Sequence, residues 1–174
     1  PRGDRNLSEG SAIQWQEVMG GSGEEYLGSV LQTSDDGYLY AGHSASGVTG
    51  DKTVAGIGDK DWWLIKKSAS RVEQWQLALG GTGADELMTI QQTTDGGYIV
   101  GGYSNSGISG NKTEAGRGDF DYWIVKLGPC DTTPVRITEN LCRGDSYLLP
   151  GGSTVSSPGV YYDTLQNVWG TCDS

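Results

Sequence analysis

One stretch of the chain, from Gln14 to Lys126, is a sequence written twice at a spacing of about 60 residues. About 26 of about 60 aligned positions are identical. The clearest pairs are Gln14-Trp15-Gln16 with Gln74-Trp75-Gln76, and Asp61-Trp62-Trp63-Leu64-Ile65-Lys66 with Asp121-Tyr122-Trp123-Ile124-Val125-Lys126. A tandem repeat of this length predicts two copies of one structural unit, each of which must stack on a neighbour to bury its core.

Each copy of the repeat contains four runs of residues that favour β-strands, and no segment has the periodicity of a helix. A Ser-Asp-Asp-Gly hairpin signature joins the second and third runs of the first copy. A long Gly/Ser/Asp loop precedes the last run of each copy, at 45–60 and 105–120. The predicted strands are Ile13–Met19, Tyr26–Thr33, Tyr38–Ser44 and Asp61–Lys67 in the first copy, and Val72–Leu79, Glu86–Thr93, Tyr98–Ser104 and Asp121–Leu127 in the second.

Four short strands in about 60 residues are typical of a propeller blade, and the recurring tryptophans fit packing wedges between blades. The predicted fold is therefore all-β, with two four-stranded, propeller-like blade repeats followed by a small antiparallel β-sandwich module. A closed propeller needs about four blades or more. Either further blades lie outside this chain, or two blades form an open stack whose sides meet other modules or copies of the same chain.

The composition changes after Lys126, which predicts four segments. They are a lead-in at 1–12, β repeats at 13–70 and 71–129, and the small sandwich module at 130–174. The predicted strands of this last module are Val135–Thr138, Ser146–Leu149 and Gly159–Leu165. The module is expected to lack its last strand, which a neighbouring module or subunit would supply.

The bulk composition excludes several classes of partner. The chain has 174 residues, a formal net charge of −10 and a pI near 4.4. This acidic balance disfavours binding to nucleic acid or to anionic membranes. No apolar run approaches the ~20 residues of a membrane helix, so direct membrane insertion is not expected.

The three cysteines, Cys130, Cys142 and Cys172, all lie in the last module. No pair has CxxC spacing and the sole histidine is His43, which disfavours zinc. Because so small a module buries little core, we expect a disulfide between Cys142 and Cys172. Cys130 would then be free or would form an intermolecular bond.

The repeat motifs resemble those of a known group of proteins. The segments Gln-Thr-Thr-Asp-Gly-Gly-Tyr-Ile-Val-Gly-Gly-Tyr-Ser and Asp-Tyr-Trp-Ile-Val-Lys-Leu are similar to kelch-like, propeller-like repeats of large secreted Bacteroidetes proteins exported by the type IX secretion system. The Cys-containing tail resembles the sandwich modules that follow such repeats. The resemblance implies an extracellular protein at the bacterial cell surface. It also implies O-glycosylation at Thr132 and Thr164, each of which follows an aspartate.

Two further sites are weighed from the loops and aromatic residues. Asp59, Asp61, Asp119 and Asp121 supply carboxylates for a Ca²⁺ site, although capping of turns explains the same residues, and no other cofactor is expected. Trp62 and Trp63 face opposite sides of one strand, so Trp62 is either exposed for glycan stacking or covered by the next blade.

The predicted function is that of a non-catalytic, structural or adhesive β-repeat protein, which joins a bacterial surface assembly or filament through strand pairing between modules. No Ser/His/Asp arrangement is present, because His43 aligns with Tyr103 and fits an aromatic strand position. The alternative is a carbohydrate-binding module of a secreted degradative enzyme, with surface glycans as ligands.

Overall fold

The computed structural model describes residues 12–129 together with the backbone of four short strands at 135–139, 147–148, 154–155 and 159–163. The described part of the chain is all-β and contains no helix. Two antiparallel sheets, one of four strands and one of three, hold most of it, and they do not close into a barrel.

Sheet 1 is an antiparallel meander of four strands in chain order. Its strands are β1 (Glu25–Gln32), β2 (Tyr38–Ser44), β3 (Asp61–Lys67) and β4 (Glu73–Leu79). Sheet 2 has the same order with three strands, β5 (Asp85–Gln92), β6 (Tyr98–Ser104) and β7 (Asp121–Leu127). The predictions for β1 to β7 are confirmed to within a residue at each end.

The turns that join the first two strands of each sheet have the same chemistry. In sheet 1, Thr33 N–H donates to the Gly37 carbonyl at 2.9 Å, and Asp36 takes a φ of 61°. Gly96, at the equivalent position of sheet 2, has a φ of 82°, which glycine adopts without a steric penalty. The Lys66 ammonium lies 2.8 Å from the Asp35 carboxylate and ties this turn to the far end of β3.

The sheets and the sequence repeats are offset by one strand. The fourth strand of sheet 1 is β4, which opens the second copy of the repeat and pairs antiparallel with β3, from Trp62 opposite Leu79 to Lys67 opposite Glu73. The equivalent segment of the first copy, Ile13–Met19, was predicted as a strand, and that prediction is wrong. The physical reason is that no described strand lies beside it to complete a hydrogen-bonded ladder.

One hydrophobic core lies between the two sheets. It is built from alternate residues of the facing strands, as expected when successive side chains point to opposite sides of a sheet. The members from sheet 1 are Leu39, Ala41, Trp62, Leu64 and Leu79, and those from sheet 2 are Leu87, Ile90, Tyr98, Val100 and Trp123. A smaller cluster of Tyr40, Trp63 and Ile65 covers the opposite side of sheet 1, with Met19, Tyr38 and Val54 packed against it. We call this side the outer face of sheet 1.

The C-terminal strands form two antiparallel pairs. They are β8 (Val135–Glu139) with β11 (Gly159–Asp163), and β9 (Tyr147–Leu148) with β10 (Thr154–Val155). β8, β9 and β11 overlap the three strands predicted here, and β10 was not predicted.

Candidate interaction surface

The edge strand β7 is where the two sheets differ most. In sheet 1 the equivalent strand β3 has β2 on one side and β4 on the other, and all seven of its residues are buried. Among the strands that the structure describes, β7 has only β6 beside it. Its residues alternate between buried or half-buried and exposed. We call the unpaired side of β7 the open edge.

One face of sheet 2 carries exposed apolar side chains. Tyr122 is 83% exposed and Ile124 is 66% exposed, and both lie on β7. Ile99 and Tyr103 on β6 extend the patch, with the Tyr103 and Tyr122 rings 5.6 Å apart. We call these four residues the open face. Contiguous apolar patches of this kind mark interaction sites on folded proteins.

The open face is the counterpart of a buried surface in the first repeat. Trp62 and Leu64 occupy the positions of Tyr122 and Ile124, and both are 0% exposed because sheet 2 covers them. Trp62 stacks against Trp123 with ring centroids 4.3 Å apart. The same repeat position is therefore buried where a sheet covers it and exposed where none of the described strands covers it.

Two side chains along the open edge lack hydrogen bonds that their counterparts make. In sheet 1, Trp63 Nε1 donates to Gln76 Oε1 at 2.8 Å, and Lys66 Nζ donates to Gln74 Oε1 at 2.9 Å. Both glutamines lie on β4. Within residues 12–129, Trp123 Nε1 makes no hydrogen bond. Within the same range, Lys126 Nζ donates to the Asp95 carboxylate at 2.8 Å and to the Leu127 carbonyl at 3.0 Å, and to no glutamine.

The segment Ile13–Met19 lies across the outer face of sheet 1. Trp15 meets Tyr38 edge to face at 5.2 Å, with the Arg71 guanidinium 5.2 Å from the tryptophan ring. Glu17 pairs with Lys67 and accepts a hydrogen bond from the Tyr40 hydroxyl. The segment is thus held by side-chain contacts and is largely exposed along its length.

The glycan-stacking prediction required Trp62 to be exposed, and that prediction is wrong. Sheet 2 covers the ring completely, so the alternative of a contact between neighbouring repeats is confirmed. Sequence periodicity places Trp62 and Trp63 on opposite faces but does not reveal that both faces of sheet 1 are covered. The exposed aromatic at this repeat position is Tyr122, which sequence reasoning missed.

The predicted calcium ligands lie in two loops, at Asp59 and Asp119, and at the first residues of the strands that follow these loops, Asp61 and Asp121. Asp59 and Asp119 are exposed, whereas Asp61 Oδ2 accepts hydrogen bonds from the N–H groups of Ile57 and Gly58, and Asp121 accepts one from Arg117 N–H. No group of three or more His, Cys, Asp or Glu side chains converges within the described residues. Asp61 and Asp121 thus cap turns in the loops before them, and calcium binding stays a prediction.

A pair of buried carboxylates, Asp61 and Asp85, lies on either side of Gly80. A Cβ built on Gly80 would lie 1.9 Å from Asp61 Oδ1 and 2.8 Å from Asp85 Oδ2, so only glycine fits between them. The Oδ1 atoms of both aspartates are buried without a hydrogen-bond partner in the described part of the chain. Burial raises the pKa of Asp61, and the charge of Asp85 adds to the rise. Asp85 was not identified from the sequence.

His43 lies on β2, as predicted for an aromatic position of a strand. Its ring stacks on Tyr26 at 5.0 Å, and burial lowers the pKa of the imidazole. The packing of the ring on Tyr26 fits a role in the contact between β1 and β2. Cys130, Cys142, Cys172, Thr132 and Thr164 lie outside the described residues, so the disulfide, thiol and glycosylation predictions stay predictions.

Comparisons with known proteins give no relative: no family model, curated protein or solved structure matches the chain. Within the described residues, no helix has the length and apolar character needed to cross a membrane.

Proposed function

We propose that this chain is a non-catalytic, structural or adhesive β-repeat protein that assembles with further protein through the open edge and open face of sheet 2. The single observation that carries the proposal is the contrast between equivalent residues, Trp62 at 0% exposure and Tyr122 at 83%. A surface that is buried in the first repeat is left uncovered in the second by the part of the chain that the structure describes.

The energetics favour association at this surface. Each exposed apolar side chain that becomes buried contributes about 25 cal/mol per Å² removed from water. An unpaired strand edge also presents main-chain N–H and C=O groups that a further strand can satisfy. Apolar area and backbone hydrogen bonding therefore act together on the same strand, β7.

The finer architecture belongs to the same proposal. Sheets 1 and 2 would be consecutive blades of a propeller-like stack, and the strands after residue 134 would belong to a small sandwich module. The resemblance of the repeat motifs to surface proteins of Bacteroidetes supports a location outside the cell, in a surface assembly or filament. The acidic net charge of −10 suits a role that involves neither nucleic acid nor anionic membranes.

Association is tested by light scattering over a range of protein concentrations, with and without reductant to separate it from disulfide bonding through Cys130. Wild type should grow in mass with concentration under reducing conditions. Tyr122→Glu, which puts a charge on the open face, should keep the chain monomeric. The control is Val48→Glu, which changes an exposed apolar residue in the loop 45–60. A wild type that stays monomeric at all concentrations would contradict the proposal.

A second candidate function, glycan binding, is supported by the exposed pair Tyr103 and Tyr122. Aromatic faces of this kind stack on the apolar side of sugar rings. A glycan array separates the two functions: binding that is lost in Tyr122→Ala and kept in Val48→Glu would favour glycans, and an array without signal would exclude those sugars.

A further inference from the structure

We infer that the strand missing from sheet 2 is supplied by residues Ile13–Met19 of a second copy of this chain. The inference rests on the proposed function and names the partner for the open edge. Ile13–Met19 is the repeat equivalent of β4, the strand that completes sheet 1. β7 is the repeat equivalent of β3, the strand that receives β4. The chain therefore carries both halves of a strand pair that it already forms once.

The register follows from the pairing of β3 with β4 and the repeat spacing. The five consecutive pairs from Trp62–Leu79 to Lys66–Trp75 become pairs between copies, and one irregular step follows before Lys67–Glu73. The predicted pairs, with the residue of the second copy given last, are Tyr122–Met19, Trp123–Val18, Ile124–Glu17, Val125–Gln16, Lys126–Trp15 and Leu127–Ile13.

The unmet hydrogen bonds of the open edge match the side chains of this segment. Gln16 is the counterpart of Gln76, so its amide oxygen would accept from Trp123 Nε1. Gln14 is the counterpart of Gln74 and would accept from Lys126 Nζ. Within the described residues neither Gln14 nor Gln16 makes a side-chain hydrogen bond. Two donors on one surface and two acceptors on the other would thus be satisfied together.

The segment already has the placement that the pairing needs. Trp75 of β4 contacts Tyr98 of sheet 2 edge to face, with ring centroids 6.3 Å apart. Its counterpart Trp15 contacts Tyr38 of sheet 1 in the same way, with ring centroids 5.2 Å apart. Met19 packs on the outer face of sheet 1, as its counterpart Leu79 packs in the core between the sheets. Ile13–Met19 therefore has one side fixed on its own copy and its backbone free to pair with another.

The sheet faces would meet at the same time as the edges. With Ile13–Met19 alongside β7, the outer face of sheet 1 in the second copy comes over the open face of the first. The stack of Trp62 on Trp123 would recur as Tyr122 on Trp63 of the second copy. The two surfaces differ, so the contact is head to tail and continues from copy to copy.

The residue at one repeat position makes the contact between copies looser than the contact between sheets 1 and 2 within one chain. Gly28 lets sheet 2 approach closely, since a Cβ there would lie 2.5 Å from the Leu87 carbonyl oxygen. Its counterpart Met88 carries a side chain and faces the Leu27 carbonyl of the second copy. The contact between copies is therefore weaker than the contact within one chain, which suits reversible assembly.

The test uses a variant of each half of the pair. Gln16→Pro removes an N–H from the middle of the donor segment, and proline is not tolerated inside a paired strand. Because Ile13–Met19 has no sheet hydrogen bonds to other described residues of its own chain, the fold should be kept, as circular dichroism and a melting curve would verify. Ala12→Pro is the matched control, one residue before the predicted register. Gln16→Pro should weaken association at least about tenfold, and Ala12→Pro less than about twofold.

A mixing experiment tests the head-to-tail direction. Gln16→Pro keeps the acceptor edge, and Tyr122→Glu keeps the donor segment. Each alone should be monomeric, and an equimolar mixture should form dimers of one copy of each, measured by sedimentation velocity. A mixture that stays monomeric overturns the inference. If Gln16→Pro associates like wild type while Tyr122→Glu does not, the donor assignment is wrong and the proposed function survives. If wild type never associates, both fail.

Discussion

Trp62 and Trp123 lie against each other across the two sheets, with ring centroids 4.3 Å apart and planes inclined by 36°. Both rings are buried. Trp62 belongs to the first repeat, and Trp123 belongs to the second, where it is the counterpart of Trp63. This contact is central to the core that the two sheets share.

Trp62→Ala should lower the free energy of unfolding by about 3–5 kcal/mol, because it removes a fully buried indole and leaves a cavity. The measurement is urea unfolding followed by far-UV circular dichroism. Tyr122→Ala changes the repeat equivalent, which is exposed, and should cost less than about 1 kcal/mol. Equal losses for the two variants would contradict the asymmetry between the two sheets.

Ile124 tests the register between copies, because its predicted partner is Glu17 of the second copy. Ile124→Glu places like charges opposite each other and should weaken association, whereas Ile124→Lys should be tolerated. The dissociation constants, measured by sedimentation equilibrium, should differ by about fivefold or more.

Charge reversal on the partner strand is the control for this pair. Adding Glu17→Lys to Ile124→Glu should restore association, although Glu17→Lys also breaks the pair with Lys67 in its own copy. Identical behaviour of Ile124→Glu and Ile124→Lys would mean that Glu17 does not face Ile124.

Met88→Gly should strengthen association, because it removes the Cβ that keeps the second copy from approaching as closely as sheet 2 approaches Gly28. Relief of overpacking is worth about 1–3 kcal/mol, against a cost of about 0.5–1 kcal/mol for glycine in a strand. Met88→Ala keeps the Cβ and serves as the control. Light scattering should rank the association of the glycine variant above that of the alanine variant, and the reverse order would exclude this close approach.

Asp61→Asn tests the buried carboxylate pair through the pH dependence of stability. Because the pKa of Asp61 is raised by burial, the folded state binds its proton more tightly than the unfolded state does. Wild type therefore loses stability as pH rises above about 4, until the raised pKa has been passed. The asparagine variant has no carboxyl group at this position and lacks this loss. Its advantage in unfolding free energy should be absent at acid pH and present near neutrality.

Asp35→Asn is the control, because the stability that Asp35 contributes is expected to depend on pH in the opposite direction. Burial raises the pKa of Asp35, but hydrogen bonds from Lys66 and Thr33 prevail and lower it to about 2. The stability that this carboxylate contributes is present above about pH 4 and is lost as pH falls towards 2. Asp35→Asn should therefore be least stable relative to wild type near neutrality. If both variants followed wild type at every pH, neither carboxylate would be coupled to folding.

The sequence predicted the strands of the repeat well, because residue pattern and turn chemistry are local properties. Tyr38–Ser44, with its hairpin turn, and Asp61–Lys67 were predicted with the observed bounds. Ile13–Met19 was predicted as a strand but does not form one, because a strand exists only where another strand pairs with it. Its pattern is that of β4, but the edge that β4 finds on β3 has no counterpart beside Ile13–Met19 within the described residues.

The surface could not be predicted for a related reason. Trp62 and Tyr122 are both aromatic and occupy the same repeat position, and they differ in exposure because sheet 2 covers Trp62 whereas no described strand covers Tyr122. Asp85 was missed because its partner, Asp61, comes from the neighbouring repeat. Pairing across the repeat boundary is not visible in a one-dimensional pattern, although the change from Gly28 to Met88 was a signal that the two sheets have different neighbours.

The one-strand offset between repeat and sheet links the fates of the two repeats. β4 comes from the second repeat and completes the first sheet. Unfolding of the second repeat would therefore remove a strand from sheet 1, and unfolding of the first would expose the hydrophobic face of sheet 2. The two should therefore melt in a single transition. In an array lengthened by whole units of about 60 residues, every repeat boundary would carry the same strand pairing as β3 with β4. The force needed to separate neighbouring repeats would therefore be the same at every boundary.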